Sequence, residues 1–547
     1  MTWRRAVLGV GAVLWALAYG WPLVAVMGRS ITGVAGREGL GLATWSVLWD
    51  ERTLRLFAIT FAQSAASVVV VMALGVPMGW ALARLSFRGS SVVSAVVMVP
   101  FVLPTLTVAS AVLAVVGGLP DADGARFALV VVAHVCLNLG LMVRAVAAAV
   151  AAVPASIEDS ARSLGHRPLR AVRATTLRMI APQIADAALL VAMFCLTSFG
   201  VIVGLGSARV STVEVEVWFL STRSLDLASA AVLVVAQLAI VLAIVALQAR
   251  VGAQRRTRVG MGVGAVRRRP VRGRGDRSLA AFTVLATAVF AGGPLLALVL
   301  RSLHTARGWG LGNYRALFGA GQHRPDRSIP ALATTILGPG DAGGAISASV
   351  LGAVLGAVLA LALAAPLVVS AGRDDSVGRF VDRLLIVPMS ISAATLGLGF
   401  LLAYSGAWID LRGTWIAVPL VQAATAAPIA ARLLLGGVRS VDRQPFEAAA
   451  VLGAGRLRRG LRIGVPLLGR PVAVAAGFAF AMAIGEFGAT VFLARPDRPT
   501  IPILISRLLG RAGTGNFGAA MALSCVLAAI VIGAVALVDR RGRGQLG

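Results

Sequence analysis

The chain has 547 residues, 58% of them hydrophobic and only 14% charged, and its mean hydropathy is +0.87. Soluble domains carry about 25% charged residues, so the composition excludes a soluble globular protein and indicates an integral membrane protein. The formal charge of +28 comes from 51 basic residues, all of them arginine, and because they gather in alternate loops they indicate membrane orientation rather than nucleic-acid binding.

Twelve apolar stretches follow one another along the chain, and each is long enough to cross about 30 Å of hydrocarbon as a helix. They lack the alternating pattern of membrane β-barrel strands, so the predicted fold class is an all-α integral membrane protein with about twelve transmembrane helices. The first six stretches lie at about 6–27, 56–83, 92–116, 127–150, 183–205 and 227–249. The last six lie at about 279–300, 345–371, 381–404, 414–436, 471–493 and 517–538.

The first stretch follows Arg4 and Arg5 and looks like a signal peptide. Its apolar run is too long and ends without a clear small-residue cleavage site, so we expect it to remain as the first span. The arginines of the short loops orient the chain, because basic loops stay in the cytoplasm. With twelve spans, both termini are predicted to be cytoplasmic. The opposite side receives the acids Asp121, Asp123, Glu214, Glu216, Asp226, Asp326 and Asp497.

The pattern predicts three units: a first six-span half (1–249), a basic cytoplasmic linker (250–277) and a second six-span half (278–547). Arginine, glycine and proline recur in the linker, which is typical of a solvated and partly disordered tether. The sequence contains no lysine, so it has no phosphate-binding loop of the G-x-x-x-x-G-K-[ST] type. Any ATP-driven work is therefore expected from another subunit.

Two polar, arginine-rich stretches are imperfect copies of each other, DSARSLG at 159–165 and EAAAVLG at 447–453. They are separated by six predicted spans and so face the same side of the membrane. The halves are therefore predicted to be parallel repeats related by a pseudo-two-fold axis along the membrane normal. One displacement of 288 residues takes Asp159 to Glu447, Gly165 to Gly453, Pro100 to Pro388, Arg144 to Arg432, Phe199 to Phe487 and Gly200 to Gly488.

Each copy is predicted to form a helix, a tight turn and a second helix. Gly165 and Gly453 can take a positive φ and end the first helix, and Pro168 suits the first turn of the next one. Asp159 and Glu447 lie on the short helices, where they can accept hydrogen bonds or pair with arginine. Small neighbours let another surface approach closely, so we interpret the copies as two sockets for a partner. These neighbours are Ser160, Ala161, Ala448 and Ala449.

At these residues the chain resembles the EAA loop of permease subunits in binding-protein-dependent ABC importers, whose pattern is E-A-A, three residues, G and a later Pro. The second copy matches through Glu447, Ala448, Ala449, Gly453 and Pro466. The first copy departs from the pattern, and a proline four residues later is the candidate replacement for its missing one; the residues concerned are Asp159, Ser160, Arg178 and Pro182. The resemblance places the two loops at about 154–182 and 438–470.

The resemblance covers nearly the whole chain and is most specific to fused permeases for ferric iron and thiamine. It extends to residues 100–104 (PFVLP), 134–144, 197–200 (TSFG), 485–490 (GEFGAT) and 499–502. It implies a type I ABC importer fold in a bacterial plasma (inner) membrane, with each EAA loop docking on an ATPase subunit. Two halves in one chain imply two ATPase copies that hold ATP–Mg, an extracytoplasmic solute-binding protein, and no cofactor bound by this chain.

Polar residues inside the predicted spans are candidates for the translocation path. Glu486 either lines the path or packs between helices against arginine or a backbone group, because an ionisable side chain at depth needs a cavity or a partner. Its counterpart in the first half is Ser198. His134, Asn138 and Gln422 are interpreted first as interhelical hydrogen-bonding residues and second as path residues. With four histidines and no H-E-x-x-H motif, no metal site is predicted.

A secondary carrier of the major-facilitator type also has twelve spans in two parallel halves and is the alternative function. Its loop signature is missing from residues 84–90. An intramembrane enzyme is a third class, and the sequence lacks the nucleophile–base pairs that it would need. The cargo remains open: ferric iron and thiamine lead on resemblance, and sulfate, molybdate, phosphonate and polyamine remain alternatives.

Overall fold

The structure is a computed structural model of the chain. It describes residues 2–32, 42–256, 268–318, 341–371, 376–406, 410–411, 414–441, 444–495, 497–511 and 513–543. These residues are almost entirely helical, which confirms the predicted all-α fold class. The predicted acid Asp326 lies outside the described residues.

Ten helices of the described chain are long and apolar enough to cross a membrane, and two bent helix pairs bring the number to twelve if each pair is counted as one span. We number these segments span 1 to span 12. Ten are continuous helices: Arg4–Thr32, Glu51–Arg84, Asp123–Ala151, Thr176–Leu196, Leu227–Arg250, Gly273–Leu303, Ala342–Ser370, Ala417–Ser440, Pro466–Gly485 and Thr514–Val538. The other two are bent pairs of helices. Span 3 is Ser90–Val102 with Thr105–Val116, bent by 111°, and span 9 is Ser376–Met389 with Ala393–Ala403, bent by 91°.

Local backbone chemistry explains both bends. Pro104 forces the preceding Leu103 into an extended conformation (φ −75°, ψ 149°), because the proline ring disfavours the helical region for its predecessor. In span 9, Ser392 is extended and its hydroxyl accepts a hydrogen bond from Thr395 N, so it caps the second limb. Hydropathy alone predicts a single apolar stretch at each place and does not reveal the bend.

Spans 5 and 11 start and end earlier than predicted. Span 5 is Thr176–Leu196 rather than 183–205, and span 11 is Pro466–Gly485 rather than 471–493. The remaining apolar residues form separate short helices, Gly200–Leu205 and Thr490–Leu493. The predicted edges are wrong because the turns after these spans are themselves apolar, so hydropathy does not register the break.

Equivalent helices of the two halves pack in the same way. Span 2 runs parallel to span 4, because Ser67 lies against His134 and Gly75 lies against Met142 further along both helices. Span 8 packs against span 10 where Gly352 meets Gln422. The displacement of 288 residues therefore also relates the helix contacts of the two halves. It takes residues 67, 75 and 134 of the first half to 355, 363 and 422 of the second.

Span 1 shows that both halves point the same way. Near its start, Arg4 donates to the carbonyl of Ser370 at the end of span 8 (2.6 Å). Near its end, the carbonyl of Ser30 accepts a hydrogen bond from Trp45, in the short helix Leu42–Trp49 before span 2. Spans 2 and 8 therefore end on the same side of the bundle. The loops after spans 4 and 10 lie on that side as well. This confirms the predicted parallel repeats.

The rings of Phe199 and Phe487 locate the pseudo-two-fold axis. Both side chains are buried, their centroids are 5.2 Å apart, and they are counterparts under the displacement of 288 residues. A residue can touch its own counterpart across a two-fold interface only close to the axis. The halves therefore meet at the turns that follow spans 5 and 11.

The first helix of each half packs on the other half. Trp15 and Tyr19 of span 1 donate to Leu363 O of span 8 (2.8 Å) and Ala424 O of span 10 (2.6 Å). In the same way Arg301 of span 7 donates to a span 3 carbonyl at 3.2 Å. The two helices are related by 272 residues rather than 288, a second displacement that the sequence analysis missed. It takes Gly20 to Gly292, Pro22 to Pro294, Arg29 to Arg301 and Ser30 to Ser302.

The described ends of the linker are structured. The helix of span 6 continues to Arg256, and the helix of span 7 begins at Gly273. Between them, strand Arg269–Pro270 pairs in parallel with strand Leu85–Ser86 after span 2. A second pair of two-residue strands, His304–Thr305 and Gly308–Trp309, follows span 7. The predicted linker, 250–277, is thus ordered over the described residues 250–256 and 268–277. Residues 257–267 lie outside the described chain, so the partial disorder of the linker stays a prediction.

Candidate functional site: the two repeated loops

The repeated stretches form two helical loops at the same end of the bundle. Loop 1 (residues 152–175) contains the helices Ala155–Ser163 and Pro168–Ala174. Loop 2 (residues 441–464) contains the helices Gln444–Val451 and Arg456–Arg459, followed by a wide turn, Gly460–Gly464. The predicted helix–turn–helix is confirmed in both, and Pro168 opens the second helix of loop 1 as expected.

A left-handed glycine ends the first helix of each loop in the same way. Gly165 has φ +86° and Gly453 has φ +80°. In loop 1, Gly165 N donates to Arg162 O and the next amide donates to Ala161 O (2.9 and 3.1 Å). The corresponding bonds of loop 2, Gly453 to Ala450 and Ala454 to Ala449, measure 3.0 and 2.9 Å. Both ends are Schellman motifs, in which a residue of positive φ lets the chain reverse and satisfy the last carbonyls.

Apolar side chains at the tips of both loops stand free of the rest of the molecule. Leu164 is 81% exposed, and its counterpart Leu452 is 85% exposed. Val451, beside Leu452, is 88% exposed. Each leucine immediately precedes the left-handed glycine, so the Schellman turn holds it outward. Paired apolar tips of this kind are suited to insertion into a partner's apolar groove.

The residues that the pattern singled out surround these tips. The carboxylate of Asp159 is 70% exposed and lies 3.7 Å from Arg162 Nη1. Ser160, Glu447 and Ala448 are also exposed. Ala161 is buried under loop 1, whereas Ala449 of loop 2 is half-buried.

An acid that the sequence analysis missed anchors loop 1. Glu158, next to Asp159, is buried, and its Oε1 accepts from Thr176 Oγ1 at 2.5 Å and from Arg84 Nη2 at 3.3 Å. Arg84 also donates to Val153 O at 2.9 Å, and both charged side chains are only 6% exposed. This ionic anchor joins loop 1 to the end of span 2 and the start of span 5.

Loop 2 is anchored by apolar packing at the equivalent place. The counterparts of Glu158 and Thr176 are Phe446 and Gly464. A Cβ on Gly464 would lie 3.5 Å from the Phe446 ring, so the ring packs against the bare backbone. Arg459 Nη1 also donates to Phe446 O at 3.4 Å. The repeat thus keeps the backbone of the loop while the chemistry of its anchor changes.

The exit prolines of the two loops differ. Pro466 is the second residue of the helix Val465–Gly485, where its missing N–H costs no hydrogen bond. In loop 1 the chain enters span 5 at Thr176, with Arg178 in its first turn. Pro182 lies inside that helix. The expectation that it replaces the exit proline is therefore wrong.

The candidate path residues do not form one cluster. His134 Nδ1 lies 3.4 Å from Ser67 Oγ, and Asn138 donates to His134 O at 2.9 Å. Gln422 fills the space beside Gly352, and its Oε1 has no hydrogen-bond partner in the part of the chain described. These side chains lie between the parallel helix pairs of their own halves.

Ser198 and Glu486 lie nearer the pseudo-two-fold axis, directly before Phe199 and Phe487. Glu486 Oε1 accepts from Ala489 N at 2.8 Å, within its own turn. Ser198 is buried, and its Oγ has no partner among the residues described. The carboxylate of Glu486 is therefore engaged with backbone, and arginine is not needed to pair with it.

Comparison with known proteins gives one family. A family described as "Binding-protein-dependent transport system inner membrane component" matches residues 75–258 and 352–543, which is more than half of the chain. The two matched regions each contain one of the repeated loops.

Individual relatives agree with this match. A putative ABC transporter permease protein of Streptomyces antibioticus is 39% identical over 125 residues, which are 22% of this chain and 53% of that protein. A putative 2-aminoethylphosphonate transport system permease protein of Salmonella paratyphi A is 28% identical over 159 residues, 28% of this chain and 57% of that protein. The chain thus spans little more than half the length of these two relatives. The thiamine transport system permease protein of Brucella abortus is 25% identical over 549 aligned residues, covering 96% of this chain and 94% of that protein.

Proposed function

The chain belongs to the family of inner membrane components of binding-protein-dependent transport systems, and from this premise we propose that it is a two-half permease of an ATP-driven importer. Both permease halves are then present in one polypeptide. The family match argues against a secondary carrier of the major-facilitator type, because that alternative predicts neither the repeated loops nor this family. The permease itself performs no catalysis, and ATP–Mg is held by partner subunits.

The observation that carries this proposal is the pair of matching loops at one end of the bundle. Each loop presents one exposed leucine, Leu164 or Leu452, at a rigid turn closed by a left-handed glycine. Two such surfaces, related by the pseudo-two-fold axis, suit two copies of an ATPase that themselves pair around a two-fold axis. We therefore assign one ATPase subunit to each loop, with Asp159 and Glu447 on the docking surfaces.

Transport follows from the movement of these loops. When ATP draws the two ATPase subunits together, the loops move with them and the halves tilt against each other, which opens the contact of Phe199 with Phe487. Hydrolysis reverses the movement. Each half then alternates between two packed arrangements, as alternating access requires. The ionic anchor of loop 1 and the packing of Phe446 against Gly464 in loop 2 transmit the force to the spans.

For the cargo we propose thiamine first. The relative from Brucella abortus that matches nearly the full length of this chain is described as a thiamine permease. Ferric iron remains the second candidate from the resemblance of the 485–490 turn. An extracytoplasmic binding protein delivers the solute on the side opposite the loops. The loops, the linker and both termini then lie in the cytoplasm of a bacterial cell.

Co-purification and uptake test this function together. The tagged chain should retain an ABC ATPase in detergent, at two copies per permease. Uptake of labelled thiamine by cells that express the whole system should stop when ATP is depleted and survive collapse of the proton gradient. The opposite dependence would contradict an ATP-driven permease. ATP-dependent uptake of labelled ferric iron, without uptake of labelled thiamine by the same cells, would keep the permease function and reassign the cargo.

A further inference from the structure

A cavity of about 480 Å³ opens between spans 2, 3 and 4, at the end of the bundle that carries the loops. Its walls include the apolar side chains Leu82, Val97, Met98 and Val143. Two arginines, Arg144 of span 4 and Arg268 of the linker, also line it. Both are exposed, and within the described chain neither guanidinium has a hydrogen bond or ion pair. The cavity thus combines apolar walls with two available cations.

The second half has an ion pair of its own side chains at the equivalent place. The counterparts of Ser94 and Ala151, which line the cavity, are Asp382 and Arg439. Arg439 forms two hydrogen bonds with the carboxylate of Asp382, at 3.0 and 3.3 Å. Ser94 and Ala151 are too short to form such a bridge. The first half therefore lacks, beside its cavity, the bridge that the second half forms.

The linker brings one of the two arginines to the cavity. Strand Arg269–Pro270 pairs with Leu85–Ser86, directly after span 2. Arg269 also forms a bidentate pair with Asp276 at the start of span 7, at 2.6 and 2.8 Å. These contacts fix the backbone next to Arg268. The cationic side of the cavity is therefore shared by span 4 and by the segment that connects the two halves.

We propose that this cavity binds an anionic phospholipid of the leaflet that faces the loops. Guanidinium groups match the charge and the planar hydrogen-bonding geometry of phosphate, and basic pockets between membrane helices are suited to anionic headgroups. The apolar walls accommodate the start of an acyl chain. Val92, on the same short helix as Ser94, is 64% exposed, so this side of the cavity meets an apolar surrounding. A bound lipid would join span 4 to the linker.

The test uses the full-length chain in nanodiscs of phosphatidylcholine, with and without phosphatidylglycerol. Phosphatidylglycerol should raise the thermal unfolding temperature of the natural protein, and native mass spectrometry should show retained lipid. The variant R144A/R268A should bind phosphatidylglycerol at least tenfold more weakly. The matched control Arg432→Ala removes the counterpart of Arg144 in the second half and should bind the lipid like the natural protein.

A second variant tests the shape of the cavity rather than its charge. S94D/A151R introduces the bridge of the second half and should also displace the lipid, even where R144A/R268A fails to fold. Equal binding of phosphatidylglycerol by the natural protein and both variants would overturn the proposal. So would stabilisation by inorganic phosphate alone that matches the effect of the lipid, because the site would then take a soluble anion. Failure of transport would not affect this test, since no ATPase or cargo is involved.

Discussion

Leu164 and Leu452 occupy the same position in the two halves, and both face away from the molecule. An aspartate at either position would place a charge in the apolar groove that we assign to the ATPase, without disturbing a contact inside the permease. We expect L164D/L452D to lower the retention of the ATPase at least tenfold and to abolish uptake. Co-purification and uptake measure the two effects.

Leu225 provides the matched control for this prediction. It is 74% exposed and has a positive φ of 56°, which aspartate tolerates well. It lies just before span 6, at the end of the bundle away from the loops. Leu225→Asp should retain the ATPase and transport normally. Loss of ATPase retention in this control, or normal retention in L164D/L452D, would contradict the docking role of the tips.

Gly165 and Gly453 test the turn itself. A non-glycine residue pays about 1–2 kcal/mol in the left-handed region, and a β-branched residue fits there worst, whereas asparagine is enriched there. Gly165→Val and Gly453→Val should therefore abolish uptake, and Gly165→Asn should retain much of it. The measurement is initial uptake rate, normalised to the amount of protein in the membrane. Equal loss with valine and asparagine would show that the conformation of the turn is not what matters.

At the scale of single residues, the sequence predicted the positions of the loops better than their anchors. The repeated spacing reports what both copies share, which is the backbone of the turn. Glu158 differs from its counterpart Phe446, so the comparison of copies passes over it. Two features of the sequence pointed to the anchor. The first copy has an acid, Glu158, where the second copy has an aromatic residue, and span 2 ends at an arginine, Arg84.

Among the elements, the ionic anchor of loop 1 makes the sharpest energetic prediction. Removing one partner of a buried ion pair leaves an uncompensated charge and costs about 3–5 kcal/mol, whereas replacing both partners by apolar residues is often neutral. Arg84→Met and Glu158→Leu should each lower the thermal unfolding temperature of the purified permease, and R84M/E158L should recover most of the loss. This double-mutant cycle isolates the pairwise term.

The equivalent change in loop 2 is the control for that cycle. Phe446→Leu keeps an apolar side chain against Gly464, so we expect a smaller loss than either single charge removal produces. Additive losses in R84M/E158L would contradict the anchor, because independent residues lose stability independently. Tight ATPase binding with poor uptake in the single variants would show that the anchor transmits force rather than forming the docking surface.

One helix contact has its small and its large residue in opposite places in the two halves. Gly75 of span 2 lies against Met142 of span 4, where a Cβ would meet the Met142 side chain at 2.6 Å. The counterparts in the second half are Leu363 and Ala430, so the small and the large residue are exchanged. Gly75→Leu should cost about 1–3 kcal/mol through overpacking.

The arrangement of the second half should relieve that cost. We expect G75L/M142A to unfold at a higher temperature than Gly75→Leu alone, because the total volume at the contact is restored. Met142→Ala alone should destabilise by leaving a cavity. If the double variant is no more stable than G75L, the two halves do not share this contact geometry.

Element boundaries show where hydropathy stops being informative. It predicted the places of twelve apolar segments, which the described chain forms as ten long helices and two bent pairs, because length and composition determine whether a helix can cross the bilayer. It did not predict the bends at Pro104 and Ser392 or the turns after Leu196 and Gly485. Those breaks occur within apolar sequence, where proline chemistry, side-chain caps and close helix contacts determine the backbone rather than the period of apolar residues.

For the whole molecule, the displacement of 288 residues predicted the parallel repeat. It did not predict that the first helix of each half packs on the other half. Spans 1 and 7 follow a displacement of 272 residues, since the segments that join them to spans 2 and 8 differ in length. Each crosses to the opposite half, so the two halves are interlocked as well as touching at the axis. We therefore expect the movement between the halves to be a tilt that these crossing helices can follow, rather than a wide separation.

The contact at the axis provides a test of that tilt. In a variant with Cys136, Cys195 and Cys525 replaced by alanine, F199C/F487C places one thiol on each half, where the rings now lie 5.2 Å apart. A short, reducible thiol-specific cross-linker should join the halves and stop uptake, and a reductant should restore uptake.

The control is a cross-link of similar length inside one half. Phe101 and Phe194 have ring centroids 6.3 Å apart and both belong to the first half. If the halves move as units, cross-linking F101C/F194C should leave uptake nearly unchanged, because the two positions keep their distance throughout the cycle. Complete cross-linking of F199C/F487C with undiminished uptake would mean that the axis stays closed during transport, and the cargo would then have to pass within one half.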